Sequence, residues 1–181
     1  AMKNTNLKKM LIAFICLICF FTCYAQTIGE HYYLNSLTIR DGLSQNTVYD
    51  ILQDKAGFMW FGTKDGLNRY DGSSFKIFKY DRTDEHSLGN NYILALYEDV
   101  EGNIWVGTQN SGLWRYRTDR ENIVHHSADF GFPNVDASCF IEDNAGALYV
   151  GSDGHGIFKL SDQFVCQSHW QEDSGLLSNN I

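Results

Sequence analysis

The chain has 181 residues, 44% of them hydrophobic and 14% aromatic, with a single proline, which excludes a disordered or low-complexity chain and leaves room for one ordinary domain. Asp and Glu outnumber Lys and Arg by 22 to 14, a formal net charge of −8. Lys3, Lys8 and Lys9 stand at the N-terminus, so the remainder of the chain is more acidic still and carries no basic patch for nucleic acid or an anionic membrane.

Residues 1–25 read as a secretory signal peptide. The three lysines precede the apolar run Met10 to Phe21, and Cys23-Tyr24-Ala25 precedes Gln26. A basic start, a short apolar stretch and a small residue at the cut fit cleavage after Ala25. The run is shorter than the ~20 residues a spanning helix requires. Residues 26–41 hold one expected strand around Tyr32–Thr38, with no partner of its own.

From Gly42 onward the chain repeats. Asp54-Lys55-Ala56-Gly57-Phe58-Met59-Trp60-Phe61-Gly62-Thr63 returns as Asp99–Thr108 and again as Asp143–Ser152, a period of about 45 residues. Asp at the first and Gly at the fourth position of each copy is type I turn chemistry. The aromatic and β-branched residues after it suit a strand. Trp60 and Phe61 point to opposite faces, as do Trp105 and Val106, so each strand must be covered on both sides. Gly62, Gly107 and Gly151 are expected where another backbone comes close.

Each repeat is predicted to hold four strands. The first are Thr47–Gln53, Tyr92–Glu98 and Asp136–Glu142. The second are Phe58–Thr63 and its copies. The third are Leu67–Tyr70, Leu113–Tyr116 and Ile157–Leu160, and the fourth are Phe75–Lys79, Ile123–Ser127 and Phe164–Ser168. Asp71-Gly72 signals a two-residue hairpin. The fold class is therefore all-β: a partial β-propeller of about three four-stranded antiparallel blades, plus an N-terminal strand closing the last blade of a ring. The blades are 42–86, 87–130 and 131–174, and 175–181 starts a truncated fourth. The third repeat departs from the pattern at its opening, with Pro133-Asn134-Val135. Such a fragment is expected to expose apolar faces and to aggregate.

No catalytic or metal-binding constellation is predicted, and no cofactor. The six histidines have no ligand spacing, and Gly151-Ser152-Asp153-Gly154-His155-Gly156 reads as a hairpin because a strand follows it and the Lys-Ser/Thr end of a phosphate loop is missing. Asp54, Asp99 and Asp143 are read as turn residues. Cys139 and Cys166 fall on the first and fourth strands of one blade, three spacings or roughly 14 Å apart, and are expected to be free thiols. The candidate ligand-binding residues are Asn46, Lys64, Asp65, Asn91, Gln109, Asn110, Asp153 and His155. They lie in the loops entering the first strand and joining the second and third, at one end of the blades, and they vary between repeats. Trp114, Arg115, Arg69 and Tyr70 are expected to add flat or cationic contacts there.

Gly42-Leu43-Ser44-x-Asn46, Asp54-x-x-Gly57-x-x-Trp60-x-Gly62-Thr63 and Gly66-Leu67-Asn68-Arg69-Tyr70-Asp71-Gly72 resemble the two-component regulator propeller repeat. The second copy keeps Asp99, Gly102, Trp105, Gly107, Thr108, Gly112, Leu113, Arg115 and Tyr116; in the third, Tyr149, Ser152 and Leu160 replace Trp, Thr and Tyr. The resemblance implies the periplasmic part of a hybrid two-component sensor histidine kinase, which detects glycan-derived oligosaccharides and signals across the inner membrane to transcription. It also implies partners: an oligosaccharide or other small ligand, the rest of its own propeller and downstream domains, and a second copy in a homodimer of the full-length protein. The alternatives are an exported propeller enzyme, streptogramin-lyase-like or glycan-cleaving, and a binding or scaffold propeller without a kinase.

Overall fold

A computed structural model describes residues 34–126, 131–161 and 163–181. The chain divides into two compact units, 1–36 and 37–181. In the first unit only 34–36 are described, and they form neither strand nor helix. The signal peptide lies outside the described residues.

The described part of the second unit holds three four-stranded antiparallel sheets, each a simple meander. Blade 1 comprises β1 (Val48–Gln53), β2 (Met59–Thr63), β3 (Gly66–Tyr70) and β4 (Phe75–Phe78). Blade 2 comprises β5 (Ile93–Glu98), β6 (Ile104–Thr108), β7 (Gly112–Arg117) and β8 (Asn122–His126). Blade 3 comprises β9 (Ala137–Glu142), β10 (Leu148–Ser152), β11 (Gly156–Leu160) and β12 (Cys166–Trp170). The first strands of successive blades touch, β1 against β5 and β5 against β9, so they line one side of the row. Cys139 on β9 and Cys166 on β12 stand on opposite edges of one sheet and are free thiols.

Each blade is held to shape by its aspartate. Asp54 accepts the Gly57 N–H on its carbonyl (2.9 Å), the Phe58 N–H on Oδ1 (2.9 Å) and the Trp60 indole N–H on Oδ2 (2.7 Å). Asp99 repeats this with Gly102, Asn103 and Trp105 at 3.0, 2.8 and 3.0 Å. Asp143 repeats it with Gly146, Ala147 and the Tyr149 hydroxyl at 3.0, 3.0 and 3.3 Å. The turn residue thus also fixes the ring that fills the space between blades.

Those rings make two apolar seams. Between blades 1 and 2, Trp60 and Leu67 meet Ile93, Leu96, Val106, Trp114 and Tyr116. Between blades 2 and 3, Trp105 and Leu113 meet Phe132, Ala137, Leu148, Val150, Phe158 and Leu160. Blade 2 is covered on both faces, and every residue of β6 is buried. The outer faces of blades 1 and 3 leave Ile51 and Ile77, and Ile141 and Ile181, exposed.

Backbone hydrogen bonds staple the seams. The Gly66 N–H donates to the Asn91 carbonyl (2.7 Å), Gly112 to Val135 (3.1 Å) and Gly156 to Asn179 (2.8 Å). The staple survives at Val135 although the third repeat lacks the opening motif, because a main-chain carbonyl does the accepting. A bulge also recurs in the pairing of the first two strands, skipping Tyr49, Leu94 and Ser138.

Several expectations are corrected. Leu34–Thr38 is not a strand; Tyr32 and Tyr33 are outside the described residues. The close approach at the glycines is to backbone only at Gly107, where an added Cβ would stand 2.1 Å from the Ala137 carbonyl oxygen. Gly62 and Gly151 make room for side chains, Ile93 in one case and Cys139 and Ile181 in the other. The fourth strand of blade 3 begins at Cys166, not Phe164: Phe164 has φ 61° in a turn closed by Ser161 N–H to Val165 O (2.9 Å). The Asp71 hairpin takes four residues, because the Asp71 carboxylate accepts the Ser73 and Ser74 N–H groups, both at 2.7 Å. Residues 171–181, which include the expected start of a fourth repeat, carry the same turn bond as 38–46: Glu172 N–H donates to Asn179 Oδ1 (2.7 Å) as Ile39 N–H does to Asn46 Oδ1 (2.9 Å).

Candidate functional site

The eight predicted residues lie in loops at one end of the blades, where Asp65 and Asn91 meet across a seam. Asp65 forms an ion pair with Lys79 (2.6 Å) and accepts from Asn91 Nδ2 (3.4 Å). Lys64 stands 5.7 Å from the centre of the Tyr92 ring, and Tyr92 in turn bonds the Tyr49 hydroxyl. The Asn110 N–H donates to Asp136 (2.6 Å), and Asn90 Nδ2 donates to the Gln109 carbonyl (2.7 Å). Asp153 and His155 are exposed in the β10–β11 turn, where His155 Nδ1 lies 3.1 Å from the Asp153 carbonyl. Asn46 and Asn91 use their side-chain oxygens to hold loop backbone, at Ile39 (2.9 Å) and Tyr80 (2.7 Å). Lys64, Asn110, Asp153 and His155 keep exposed side chains.

The four accessory residues are placed differently from expectation. Trp114 is buried and stacks on His125 with centroids 4.0 Å apart, so it offers no open platform. Tyr70 spends its hydroxyl on the Gly72 carbonyl (2.8 Å). Arg69 and Arg115 sit at the other end, beside the Asp turns, because each pairs across its hairpin with the Asp-bound ring: Arg69 with Trp60 and Arg115 with Trp105.

That end carries a repeated group of aspartate, aromatic ring and cation. Arg69 lies 5.8 Å from the centre of Trp60, Arg115 5.2 Å from Trp105, and Lys159 5.1 Å from Tyr149. The cations finish differently. Arg69 also packs on Phe58 (4.6 Å) and donates across the seam to the Tyr116 hydroxyl (3.1 Å). Lys159 stays 3.9 Å from Asp143, and its pKa is raised, first by its bond to the Tyr149 hydroxyl.

Arg115 has neither arrangement. The residue matching Tyr116 is Leu160, which is fully buried and has no hydroxyl. The Asp99 carboxylate is filled by the Asn103 N–H, Asn103 Nδ2 and Trp105 Nε1. The guanidinium stacks instead on Phe164 at 4.6 Å. Its Nε is buried without a hydrogen-bond partner. Burial, and then the charge of Arg117, lower its pKa from the usual arginine value. A cleft of about 300 Å³ opens beside it, lined by Glu101, Asn103, Arg117 and Asp119. Sequence reasoning misses this group, although two exchanges against the repeat mark it: Phe58 becomes Asn103, and Tyr116 becomes Leu160.

A row of four-stranded meanders, stacked face to face with their first strands together, defines the class: a β-propeller built from repeats of about 45 residues. Residues 42–65 and 87–110 match the two-component regulator propeller family. A stretch of 60 residues, 33% of this chain, is 47% identical to Histidine kinase P4 of Formosa agariphila and covers 4% of that protein. The fold is similar to the extracellular domain of a hybrid two component system from B. thetaiotaomicron, with TM-score 0.72 and 28% identity over 81% of this chain and 21% of that one. A second extracellular domain from the same organism is similar in fold, with TM-score 0.68 and 23% identity over 83% of this chain and 23% of that one. The chain therefore spans less than a quarter of the length of each of these three proteins.

Proposed function

We propose that this chain is part of the exported, ligand-sensing propeller region of a hybrid two-component sensor histidine kinase. The ligand in this reading is an oligosaccharide released from a glycan, and the output passes across the inner membrane to transcription. The observation that carries the reading is the 28% identical likeness to the extracellular domain of a hybrid two component system over 81% of the chain. The kinase match over 60 residues adds to it.

Ligand contacts come from side chains carried on a rigid frame, as the stapled seams provide. A ligand that favours one packing of the propeller against its neighbouring domains, or against a second copy in a homodimer, shifts the balance between two states of the receptor. The propeller itself then needs no catalytic group, and none is assigned. Among the described residues, no helix is long and apolar enough to cross a membrane. Cleavage after Ala25 is tested by sequencing the N-terminus of the exported protein: Gln26 is expected first, and an intact leader contradicts the proposed processing.

The test of sensing is calorimetry of the intact protein against a panel of glycan fragments. Saturable binding of at least one oligosaccharide is expected. Heats no different from dilution across the whole panel contradict the reading.

A further inference from the structure

We propose that the cleft beside Arg115 binds an acidic sugar, with the sugar carboxylate on the Arg115 guanidinium and its hydroxyls on the acceptors around it. The inference rests on the saccharide-sensing reading above and adds a place and a chemical class to it.

Every blade puts a cation against the ring held by its turn aspartate, and in blades 1 and 3 the fold supplies that cation with a partner: the Tyr116 hydroxyl for Arg69 and Asp143 for Lys159. Blade 2 withholds both. Leu160 stands where a tyrosine would accept, and Asn103 fills the carboxylate of Asp99. The arginine packs against both Trp105 and Phe164, at 5.2 and 4.6 Å from their ring centres, so two rings confine it beside the cleft. A planar fork of donors held this way suits a carboxylate, which accepts two parallel bonds from it. The Arg115 Nε is buried without a hydrogen-bond partner, so the donors left for a ligand in the cleft are those of the terminal guanidinium nitrogens.

The rest of the cleft narrows the class. Arg117 is not free: Asp119 holds it with two bonds of 3.2 and 3.0 Å. Glu101 gives one oxygen to Asn103 Nδ2 at 3.3 Å. One unsatisfied cation among carboxylate acceptors calls for a ligand with one anionic group and several hydroxyl donors. A bare inorganic anion would satisfy the arginine and be repelled by Glu101. A neutral sugar would use the acceptors and leave the arginine unpaired. A uronic acid does both, and about 300 Å³ is the lower end of the range for small-molecule sites.

The experiment titrates the intact protein with D-glucuronate, D-glucose, acetate and sulfate, by calorimetry and by the NMR signal of the Trp105 indole N–H. Glucuronate is expected to bind and to move the Trp105 signal, with each of the other three weaker by about 10- to 100-fold. Arg115→Met is expected to remove the preference for glucuronate over glucose while the thermal melt stays cooperative. Arg115→Lys, which keeps the charge and the stacking but loses the fork, is expected to weaken glucuronate by about 10-fold. Glucose binding as tightly as glucuronate, or unchanged glucuronate affinity in either variant, overturns the inference. So does sulfate binding as tightly as glucuronate, which would mark a general oxyanion hole. Neutral saccharides that bind equally to wild type and Arg115→Met overturn this site and leave the sensing reading intact, so the two failures are told apart.

Discussion

Across the seam between blades 1 and 2, Arg69 reaches a tyrosine hydroxyl on the next blade; across the seam between blades 2 and 3, the repeat position of that tyrosine holds Leu160, and the matching arginine packs on Phe164. The frame around both is the same. An aspartate turn fixes a tryptophan on each side, and a glycine N–H donates to a carbonyl of the following blade. The first seam adds Phe58 and Ile93 where the second has Asn103 and Ala137. Main-chain bonds and fixed rings thus hold the blades in place, which leaves individual side chains free to change chemistry without dismantling the stack. The second seam uses that freedom to leave a cation unpaired.

The largest expected difference lies at the rings. Trp105 is fully buried in the second seam, and Tyr149 in blade 3 is half-buried. Trp105→Ala is expected to cost about 3–5 kcal/mol and Tyr149→Ala about 1 kcal/mol in denaturant melts. Equal losses would mean that the outer face of blade 3 is as covered as the seam. The glycines come next. Gly107→Ala drives a methyl into the Ala137 carbonyl, whereas Gly62→Ala meets only the side chain of Ile93, 2.8 Å away. The first is expected to cost about 1–3 kcal/mol and the second less, because its shortest contact, with the Ile93 Cγ2 methyl, is longer than the 2.1 Å approach to the Ala137 carbonyl oxygen.

Tyr116→Phe removes the one acceptor of Arg69 and is expected to cost about 1 kcal/mol by the same measurement. A larger loss would show that the first seam depends on this bond more than on its packing. The smallest effect is in acid. The Ala147 N–H, followed by that of Ala145, Lys159 and the Tyr149 hydroxyl, holds the Asp143 carboxyl below its ordinary value. A depressed folded pKa gives stability that is present above the unfolded value of about 4 and lost as pH falls through the folded one. Melts are therefore expected to be flat from pH 7 to 5 and to drop below about 4. Asp143→Asn should flatten that drop, and an unchanged drop would remove Asp143 as a contributor.

Most of the blade architecture is legible in the sequence because its signals are local. Asp54, Gly57 and Trp60 lie within one turn and one strand, so their spacing carries the geometry with it. Phe164 escapes such a reading because strand composition cannot report a left-handed turn that Ser161 closes. Tyr32–Thr38 has the composition of a strand, yet its described part, Leu34–Thr38, is not one, because composition alone does not supply the pairing a strand requires. Asn46 and Asn91 look like variable polar loop residues, yet each reaches backbone seven or eleven residues away, which depends on the course of the loop. Arg115 carries no local signal of being unpaired. Its signal lies in columns: only aligning it with Arg69, and Leu160 with Tyr116, exposes the missing hydroxyl.

The stack itself is tested most directly by distances between rings far apart in sequence. The centroids of Trp60 and Tyr116 are 5.0 Å apart across the first seam, and those of Trp105 and Phe164 are 4.6 Å apart across the second. NMR of the intact protein with these rings selectively labelled should give strong nuclear Overhauser effects between both pairs. Their absence in a sample that melts cooperatively would contradict the side-by-side packing of the blades and, with it, the seams on which the Arg115 site is built.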